Sequence, residues 1–322
     1  MTPARVARRI VSVPLVAILE LVVLALTPVV LLVCLVVAAV ARSTRPIRSS
    51  LLVGAYAAVG LSLIPRVLLR TDRDWDALVR EVLGKAYAIL RTLLDVRVVL
   101  EPGSATKAQV AATDRPVIVL ARHCGPGDSL FIAWVLADHY RLRLGVVLKA
   151  ALRWEPVVDL AGDHLPLCFV GRHEPNARAR VTELAASMVA GDALLMFPEG
   201  GNFSWERWRK AVRKLFAAGA YRAAWAAVGQ THTLPPHRGG AGAALVGAPT
   251  ADVLLLTHSG FADDGRDRPW WRLPVHRTLL MRTTLVPGTI VPRTEEALAT
   301  WLTATWSDVD RWVAGVSSSD EP

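Results

Sequence analysis

The longest apolar run in the chain sets the strongest limit on its fold. Residues 10–41 carry a single charge, Glu20, over 32 positions. About 20 apolar residues suffice for a helix to cross the hydrocarbon core of a bilayer, and this run is too long for the apolar core of a cleavable signal peptide. We therefore predict a membrane anchor over residues 1–70, formed by this run and by a shorter one at 49–65.

Arginines flank both apolar runs, so charge does not fix the topology of the anchor. Cytoplasmic flanks usually carry the excess of positive charge, and here all three flanks are positive. One span and a hairpin that enters one leaflet and returns both fit the pattern; a buried hairpin inside a soluble domain is the alternative. The flanking arginines are Arg5, Arg8, Arg9, Arg42, Arg45, Arg48, Arg66, Arg70 and Arg73.

The charge balance and the cysteines indicate the surroundings of the chain. A net charge of +9 suits an anionic partner such as a lipid surface, phosphate groups or nucleic acid. Cys34, Cys124 and Cys168 have neither metal-binding nor disulfide spacing, which is typical of a reduced compartment. We predict a protein of the cell membrane with its catalytic domain on the cytoplasmic side, binding neither nucleic acid nor a metal ion.

From Val96 onward, short apolar runs typical of strands alternate with stretches of helical periodicity. This alternation favours βαβ units, so we predict an α/β fold: a largely parallel mixed sheet flanked by helices over residues 71–316, followed by a disordered tail at 317–322. Strands are predicted at Val96–Leu100, Val117–Ala121, Leu144–Leu148, Leu167–Val170, Ala193–Phe197, Ala243–Val246, Val253–Thr257 and Leu279–Leu285. Helices are predicted at Thr71–Leu94, Leu130–His139, Ala177–Ala190, Trp205–Ala227 and Glu295–Ala314.

Four of the predicted strands are closely followed by polar or charged residues. Arg122 and His123 follow one strand and Lys149 follows another; Arg172 and Glu199 come one position later, after Gly171 and Pro198. The carboxyl ends of parallel strands line one edge of a sheet, where ligands bind in open α/β folds. The sequence therefore predicts a reaction centre at this edge that combines a base, a carboxylate and two cations.

The segment VIVLARHCGPGDS places His123 and Asp128 five positions apart across a Gly-Pro-Gly turn. A carboxylate beside a histidine fixes its tautomer and stabilises the imidazolium, which makes a general base that works near neutral pH. The alternative is that Asp128 is only the N-cap of the following helix. The turn can fold Asp128 back toward His123, as a catalytic pair requires.

Four blocks in the same order resemble those of the glycerolipid acyltransferase superfamily, of the 1-acyl-glycerol-3-phosphate acyltransferase type. The first is the H-x4-D block of His123 and Asp128, and the second is LCFVGR, which ends in Arg172. The third is FPEGG from Phe197, and the fourth is LPPHRGG from Leu234. The resemblance covers about residues 95–260.

This resemblance implies a membrane-bound O-acyltransferase of phospholipid biosynthesis that needs no cofactor. It would move a fatty acyl group from acyl-CoA or acyl carrier protein to the free hydroxyl of a lysophospholipid such as 1-acyl-glycerol-3-phosphate. His123 would deprotonate that hydroxyl, Asp128 would orient His123, and backbone N–H groups near 125–128 would be candidates to stabilise the oxyanion. Acceptor and phosphate binding would fall to Arg172, Glu199 and Gly200, with further substrate contacts possible at Lys149, Gly201, Arg207 and Arg209.

The third block departs from the family pattern. The family usually continues Thr-Arg-Ser after Glu-Gly, whereas this chain continues from Gly201 to Asn202, Phe203 and Ser204. The arginine expected at position 202 is missing, and Arg207 or Arg209 are candidates to replace it. The head group of the acceptor is therefore left open.

Two other functions fit parts of the sequence. Residues 127–130 spell GDSL, the nucleophile block of a family of serine esterases and lipases, but the Asp-x-x-His that such enzymes need downstream is absent from the sequence. A membrane-anchored protein that only binds anionic lipid would explain the basic charge and leave the polar strand ends unexplained.

Overall fold

The computed structural model describes residues 3–69, 74–125, 127–171, 174–260 and 275–319, without the side chains of 318 and 319. In chain order the helices are α1 (Pro3–Ala41), α2 (Arg45–Leu68), α3 (Trp75–Leu94), α4 (Lys107–Ala111), α5 (Asp128–Trp134), α6 (Pro156–Ala161), α7 (Ala177–Ala186), α8 (Trp205–Ala217), α9 (Tyr221–Val228), α10 (Arg238–Gly247) and α11 (Glu295–Ser319). The strands are β1 (Val96–Leu100), β2 (Val117–Ala121), β3 (Arg143–Lys149), β4 (Leu167–Val170), β5 (Asp192–Met196), β6 (Asp252–Ser259) and β7 (Arg277–Val286). A π-helical turn follows α5 at Val135–His139, and a 3-10 turn follows β3 at Ala150–Trp154.

The chain divides into two compact units. The first consists of Met1–Val96, Leu148–His173 and Trp270–His276; the second consists of Arg97–Val147, Glu174–Pro269 and Arg277–Pro322. The sequence pattern predicts a boundary at residue 70. That boundary stays a prediction, and the compact unit that contains the N-terminal helices also includes α3, α6 and β4.

In the first unit, α1 and α2 form an antiparallel hairpin. The side chain of Thr27 packs against Gly54, and the carboxylate of Glu20 lies against Gly60, where a Cβ would overlap it. Both helices are long and apolar enough to cross a membrane, judged by length and composition alone. Between positions 10 and 40, α1 exposes a long series of valine, leucine and isoleucine side chains.

Polar contacts fix both ends of this hairpin within the first unit. Arg8 and Arg9 donate to the carboxylate of Asp159 in α6 at 2.6 and 2.8 Å. Along α2, Arg66 pairs with Glu81 of α3 at 3.0 Å, and Arg48 Nη1 donates to the carbonyl oxygen of Leu93 at 2.7 Å. The two ends of α2 therefore lie beside the two ends of α3.

The sheet of the second unit contains six of the seven strands, in the order β1-β7-β6-β2-β5-β3. β2 pairs in parallel with both β5 and β6, β3 pairs in parallel with β5, and β7 is antiparallel to β6. All five residues of β2 are buried between its two neighbours, as its unbroken apolar run predicts. The predicted mixed, largely parallel sheet is confirmed.

Three local predictions differ from the structure. The predicted strand Ala243–Val246 is wrong, because these residues lie in α10, where alanine favours a helix and small side chains allow close packing against α7. The predicted helix Trp205–Ala227 is broken into α8 and α9 at Gly219, which has φ +68°. At the C-terminus, α11 continues to Ser319, into the segment predicted as a disordered tail.

Candidate active site

The site is built where β2 and β5 end side by side. Leu120 of β2 is level with Met196 of β5 in the parallel register, so the segments after both strands leave the same edge of the sheet. The backbone N–H of His123 donates to Oε1 of Glu199 at 3.0 Å. The predicted meeting of these two strand ends is therefore confirmed.

The structure brings His123 and Asp128 together. His123 Nδ1 lies 2.8 Å from Asp128 Oδ2. Gly127, with φ +92°, reverses the chain just before α5, a conformation that favours glycine. Asp128 is the first residue of α5 rather than its N-cap, and its carboxylate turns back to accept from the N–H groups of Cys124 at 2.8 Å and Gly125 at 3.2 Å.

These backbone contacts alter one expectation about the turn. The N–H of Gly125 is directed at the Asp128 carboxylate, and the N–H of Asp128 lies 3.4 Å from the Gly125 carbonyl oxygen. Both N–H groups therefore stabilise the turn itself, which makes them poor candidates for an oxyanion hole. Pro126 lies outside the described residues.

Burial and hydrogen bonding together keep Asp128 charged. Its side chain is fully buried, which raises the pKa, but hydrogen bonds with His123 and His258 lower it more, so the pKa lies well below its usual range. The side chain of His123 is 17% exposed, and its ring packs against Phe197 with centroids 4.5 Å apart. Because Nδ1 faces the carboxylate, Nε2 is the nitrogen that can take up a proton.

Glu199 lies behind the site rather than in it. Its residue is 2% exposed, and its second oxygen, Oε2, accepts from the N–H of Leu234 at 2.8 Å. Burial raises the pKa of the Glu199 carboxyl to about 7, against the lowering effects of the Arg122 guanidinium and of the two N–H donors. One carboxylate thus joins the loop of the first block to the loop of the fourth.

Glycine at position 200 is required by two features. Its φ is +68°, and a Cβ there would lie 3.1 Å from the ring of His237. The N–H of His237 in turn donates to the carbonyl oxygen of Pro198 at 2.7 Å. The third and fourth blocks therefore pack directly on each other.

Of the other residues predicted to contact the substrate, one borders the loop of the third block and the rest do not lie beside it or are outside the described residues. Arg207 Nη1 donates to the Asn202 carbonyl oxygen at 2.9 Å and lies beside Gly201, so it borders the loop of the third block. Arg209 is two positions further along α8, about 200° around the helix, and is exposed on another side. Lys149 is the exposed last residue of β3 and belongs to the first unit, while Arg172 lies outside the described residues.

Two buried residues without a predicted catalytic or binding role, His258 and the strand-end residue Arg122, support the site. His258, near the end of β6, places Nε2 3.1 Å from the Arg122 carbonyl oxygen and 3.6 Å from Asp128 Oδ2. Arg122 donates through Nη1 to the His258 carbonyl oxygen at 2.6 Å and through Nη2 to that of His232 at 2.8 Å. Their position in the sequence could have indicated a place in the site, since both residues lie at the carboxyl ends of strands parallel to β5 or β2.

Cys124, Asp128 and His258 also form a buried group of potential metal-ligand atoms within 4.8 Å of one another. These atoms already have partners in the protein. Cys124 Sγ lies 3.6 Å from His258 Nδ1, and Asp128 Oδ2 accepts from the turn and from His123. The group fits a hydrogen-bonded support for the His–Asp pair.

Comparison with known proteins identifies the class. Residues 104–239 match the acyltransferase family model, a range that includes the His–Asp pair, Glu199 and the start of α10. This stretch therefore carries an acyltransferase domain, and the protein is an acyltransferase. This domain sets aside the esterase and the purely lipid-binding alternatives.

The fold is also similar to that of a solved structure. The 1-acyl-sn-glycerophosphate (LPA) acyltransferase PlsC from Thermotoga maritima matches with a TM-score of 0.55 and 20% sequence identity, over 85% of this chain and 98% of that one. No curated protein matches the sequence. The predicted fold class is therefore confirmed.

Proposed function

We propose that this protein is a membrane-bound lysophospholipid acyltransferase of phospholipid biosynthesis. It moves a fatty acyl group from acyl-CoA, or from acyl carrier protein, to the free hydroxyl of a lysophospholipid such as 1-acyl-glycerol-3-phosphate. The observation that carries the proposal is the pairing of a partly exposed histidine with a buried, ionised aspartate in an acyltransferase domain. This is the arrangement of a general base.

In the proposed reaction, Nε2 of His123 accepts the proton of the acceptor hydroxyl while the hydroxyl oxygen attacks the thioester carbonyl. Asp128 stabilises the imidazolium that forms, because the two side chains are 2.8 Å apart and the carboxylate is buried. The tetrahedral intermediate then collapses, the carbon–sulfur bond breaks, and the imidazolium returns the proton to the leaving thiolate. The acceptor itself is the nucleophile, so the protein forms no acyl-enzyme.

The residues predicted to bind the acceptor fall into two groups, those that bind it and one that positions the His123 loop. We assign acceptor and phosphate binding to Arg172 and the Gly200 loop, with Arg207 beside that loop. Glu199 has a different role in this proposal: because both of its oxygens accept from backbone N–H groups, it holds the His123 loop in place rather than binding the acceptor.

The proposed activity predicts acceptor-dependent release of thiol. Protein reconstituted in liposomes is given acyl-CoA or acyl carrier protein together with lysolipids of different head groups, and free thiol is measured. We expect release only when a lysolipid is present, with 1-acyl-glycerol-3-phosphate among the active acceptors. Release from no donor with any acceptor would refute the lysophospholipid assignment, and release without acceptor would indicate a thioesterase.

Membrane attachment is proposed to occur through the α1–α2 hairpin without crossing the bilayer. Both ends of α2 bond to α3, through Arg66 with Glu81 and through Arg48 with Leu93. α3 carries charged residues along its length and is not a candidate span. Because α2 is bonded near both of its ends to α3, which is not a candidate span, the hairpin suits insertion into one leaflet. The apolar face of α1 would enter the leaflet on the cytoplasmic side.

This attachment predicts that the hairpin turn and the catalytic domain are accessible from the same side. Single cysteines at Ser43→Cys, in the turn, and Ala108→Cys, on α4, are introduced with Cys34→Ser; the other two native cysteines are buried. A membrane-impermeant maleimide should label both positions from the cytoplasmic side. Labelling of position 43 from the opposite side alone would show that α1 and α2 span the membrane.

A further inference from the structure

A cavity of about 350 Å³ lies between α7, α10 and the start of α11. Its polar lining is mainly cationic, with Arg178 from α7, Arg238 from α10 and Arg293 just before α11. Its apolar lining includes Leu245, Val246 and Leu298. The volume is within the range of small-molecule sites, although at the lower end.

The cavity lies along the packed faces of α7 and α10. The helices run side by side in the same direction, and Thr182 Oγ1 donates to the Ala243 carbonyl oxygen at 3.0 Å. At Gly247 they touch so closely that a Cβ would overlap the carbonyl oxygen of Thr182. Toward the other end, Gly239 and Gly242 line the space where larger side chains would fill it.

The charge of this cavity is poorly neutralised within the protein. The Arg178 guanidinium lies against Gly239 and has no hydrogen-bond or ion-pair partner among the described residues. Among the described residues, Arg238 forms an exposed, 3.6 Å ion pair with Glu295. Arg293 donates to the Gly288 carbonyl oxygen and has Asp252 as a nearby carboxylate. Two carboxylates, Glu295 and Asp252, therefore act on Arg238 and Arg293, and Arg178 adds a third positive charge. This excess favours an anion with several oxygen acceptors, such as a phosphate ester.

The apolar lining favours a ligand with more than a phosphate. Leu245 and Leu298 are buried in the wall of the cavity, while Val246 is 67% exposed at its edge. An apolar surface next to arginines suits a flat ring attached to phosphate groups, since small-molecule sites combine apolar walls with a few charged groups. A purine nucleotide has this combination, and a lysolipid head group offers only the phosphate.

One residue that lines the cavity is next in sequence to a residue of the candidate active site. Arg238 directly follows His237, whose ring lies against Gly200 and whose N–H bonds to Pro198. The start of α10 therefore joins the lining of the cavity, in sequence, to the residue that packs on the Gly200 loop.

We propose that this cavity binds substrate phosphate esters and, specifically, the adenosine 3′,5′-bisphosphate end of the acyl-CoA donor. Arg178 and Arg238 bind its phosphates, and the apolar wall of α10 and α11 contacts the adenine. The inference rests on the proposed function, because it assumes a CoA thioester as donor. It adds a site for that donor apart from the His–Asp pair.

Steady-state kinetics with two donors tests the proposal. The variants Arg178→Ala and Gly242→Val remove a cation and fill the cavity, and Arg222→Ala, an exposed arginine on α9, is the matched control. Acyl-CoA is compared with the same acyl group on pantetheine, which lacks the nucleotide. We expect Arg178→Ala to raise the KM for acyl-CoA about tenfold, the effect of one lost charge-assisted hydrogen bond, and to leave the KM for acyl-pantetheine unchanged.

Other outcomes assign the cavity differently and overturn this proposal. A rise in the KM for the lysophospholipid alone would make it the acceptor's phosphate site, and equal changes with both donors would indicate a structural effect. Direct calorimetric titration with adenosine 3′,5′-bisphosphate separates failure of this inference from failure of the proposed function. Wild-type protein should bind it more tightly than Arg178→Ala even if no acyl transfer is found, and equal or absent binding by both would refute the site.

Discussion

Replacing His123 with asparagine should nearly abolish acyl transfer while leaving the fold intact. The side-chain amide of asparagine can still donate to Asp128 Oδ2, which His123 Nδ1 approaches to 2.8 Å, so the buried carboxylate keeps a partner. It has no nitrogen that can take up the proton of the acceptor hydroxyl. General-base catalysis typically contributes 10²–10⁴-fold, so we expect kcat to fall by about 10³-fold.

The measurement is thiol release from acyl-CoA by protein in liposomes, together with a thermal unfolding curve. The matched control is His276→Asn, since His276 is an exposed histidine in the first unit that pairs with Asp95. The control should keep full activity, and both variants should unfold near the wild-type temperature. A His123→Asn enzyme with more than a tenth of the wild-type kcat would exclude His123 as the base.

Replacing Glu199 with glutamine should reduce activity strongly, although this carboxylate is 2% exposed. The carboxylate accepts from His123 N–H at 3.0 Å and from Leu234 N–H at 2.8 Å. A glutamine amide can accept from only one of them and directs an N–H donor at the other. A buried N–H without an acceptor costs about 1–3 kcal/mol, so we expect the loop of His123 to shift and kcat to fall by about 10–100-fold.

The pH dependence distinguishes a positioning role for Glu199 from a merely structural one. Burial raises the pKa of Glu199 from 4.5 to about 7. Between pH 4.5 and pH 7, the Glu199 carboxyl loses its proton in the unfolded chain but keeps it in the folded protein. The free energy of unfolding of the wild type should therefore fall with rising pH relative to that of Glu199→Gln, by about 3 kcal/mol in all. Below pH 7 the neutral carboxyl resembles the amide, so the activity ratio of wild type to variant should instead rise as pH passes 7.

These two trends are measured as unfolding temperature and kcat for both proteins from pH 5 to pH 9. Glu183→Gln, which changes an exposed glutamate on α7, is the control and should follow the wild type in both. A constant activity ratio across this range, together with a constant difference in stability, would show that Glu199 neither titrates nor positions the base.

The core of the fold and the His–Asp pair could be predicted because their signals are local. β2 and β5 are continuous apolar runs. The turn between His123 and Asp128 is predicted by the Gly-Pro-Gly sequence that lies between them. The strand predicted at 243–246 failed because a short run of alanine, leucine and valine fits a buried strand and a packed helix equally well.

The role of Glu199 could not be predicted, because it depends on contacts far apart in the sequence. Glu199 follows a strand as an acceptor ligand would, and only the folded chain brings Leu234 to its second oxygen. The support from Arg122 and His258 was missed for the same reason. A buried, charged residue beside a motif has no distinctive pattern in a single sequence.

The shared carboxylate of Glu199 also limits how this enzyme can change during evolution or engineering. Its two donors are 76 and 35 positions away in the chain. Asp310 of α11 fixes the loop before Leu234 by accepting from the N–H groups of Thr231 and His232. Substitutions in α11 can therefore shift His123, because Asp310 holds the 231–234 loop and Glu199 connects that loop to His123. A redesign of the 231–237 loop for a new acceptor needs compensating changes at positions 199 and 310.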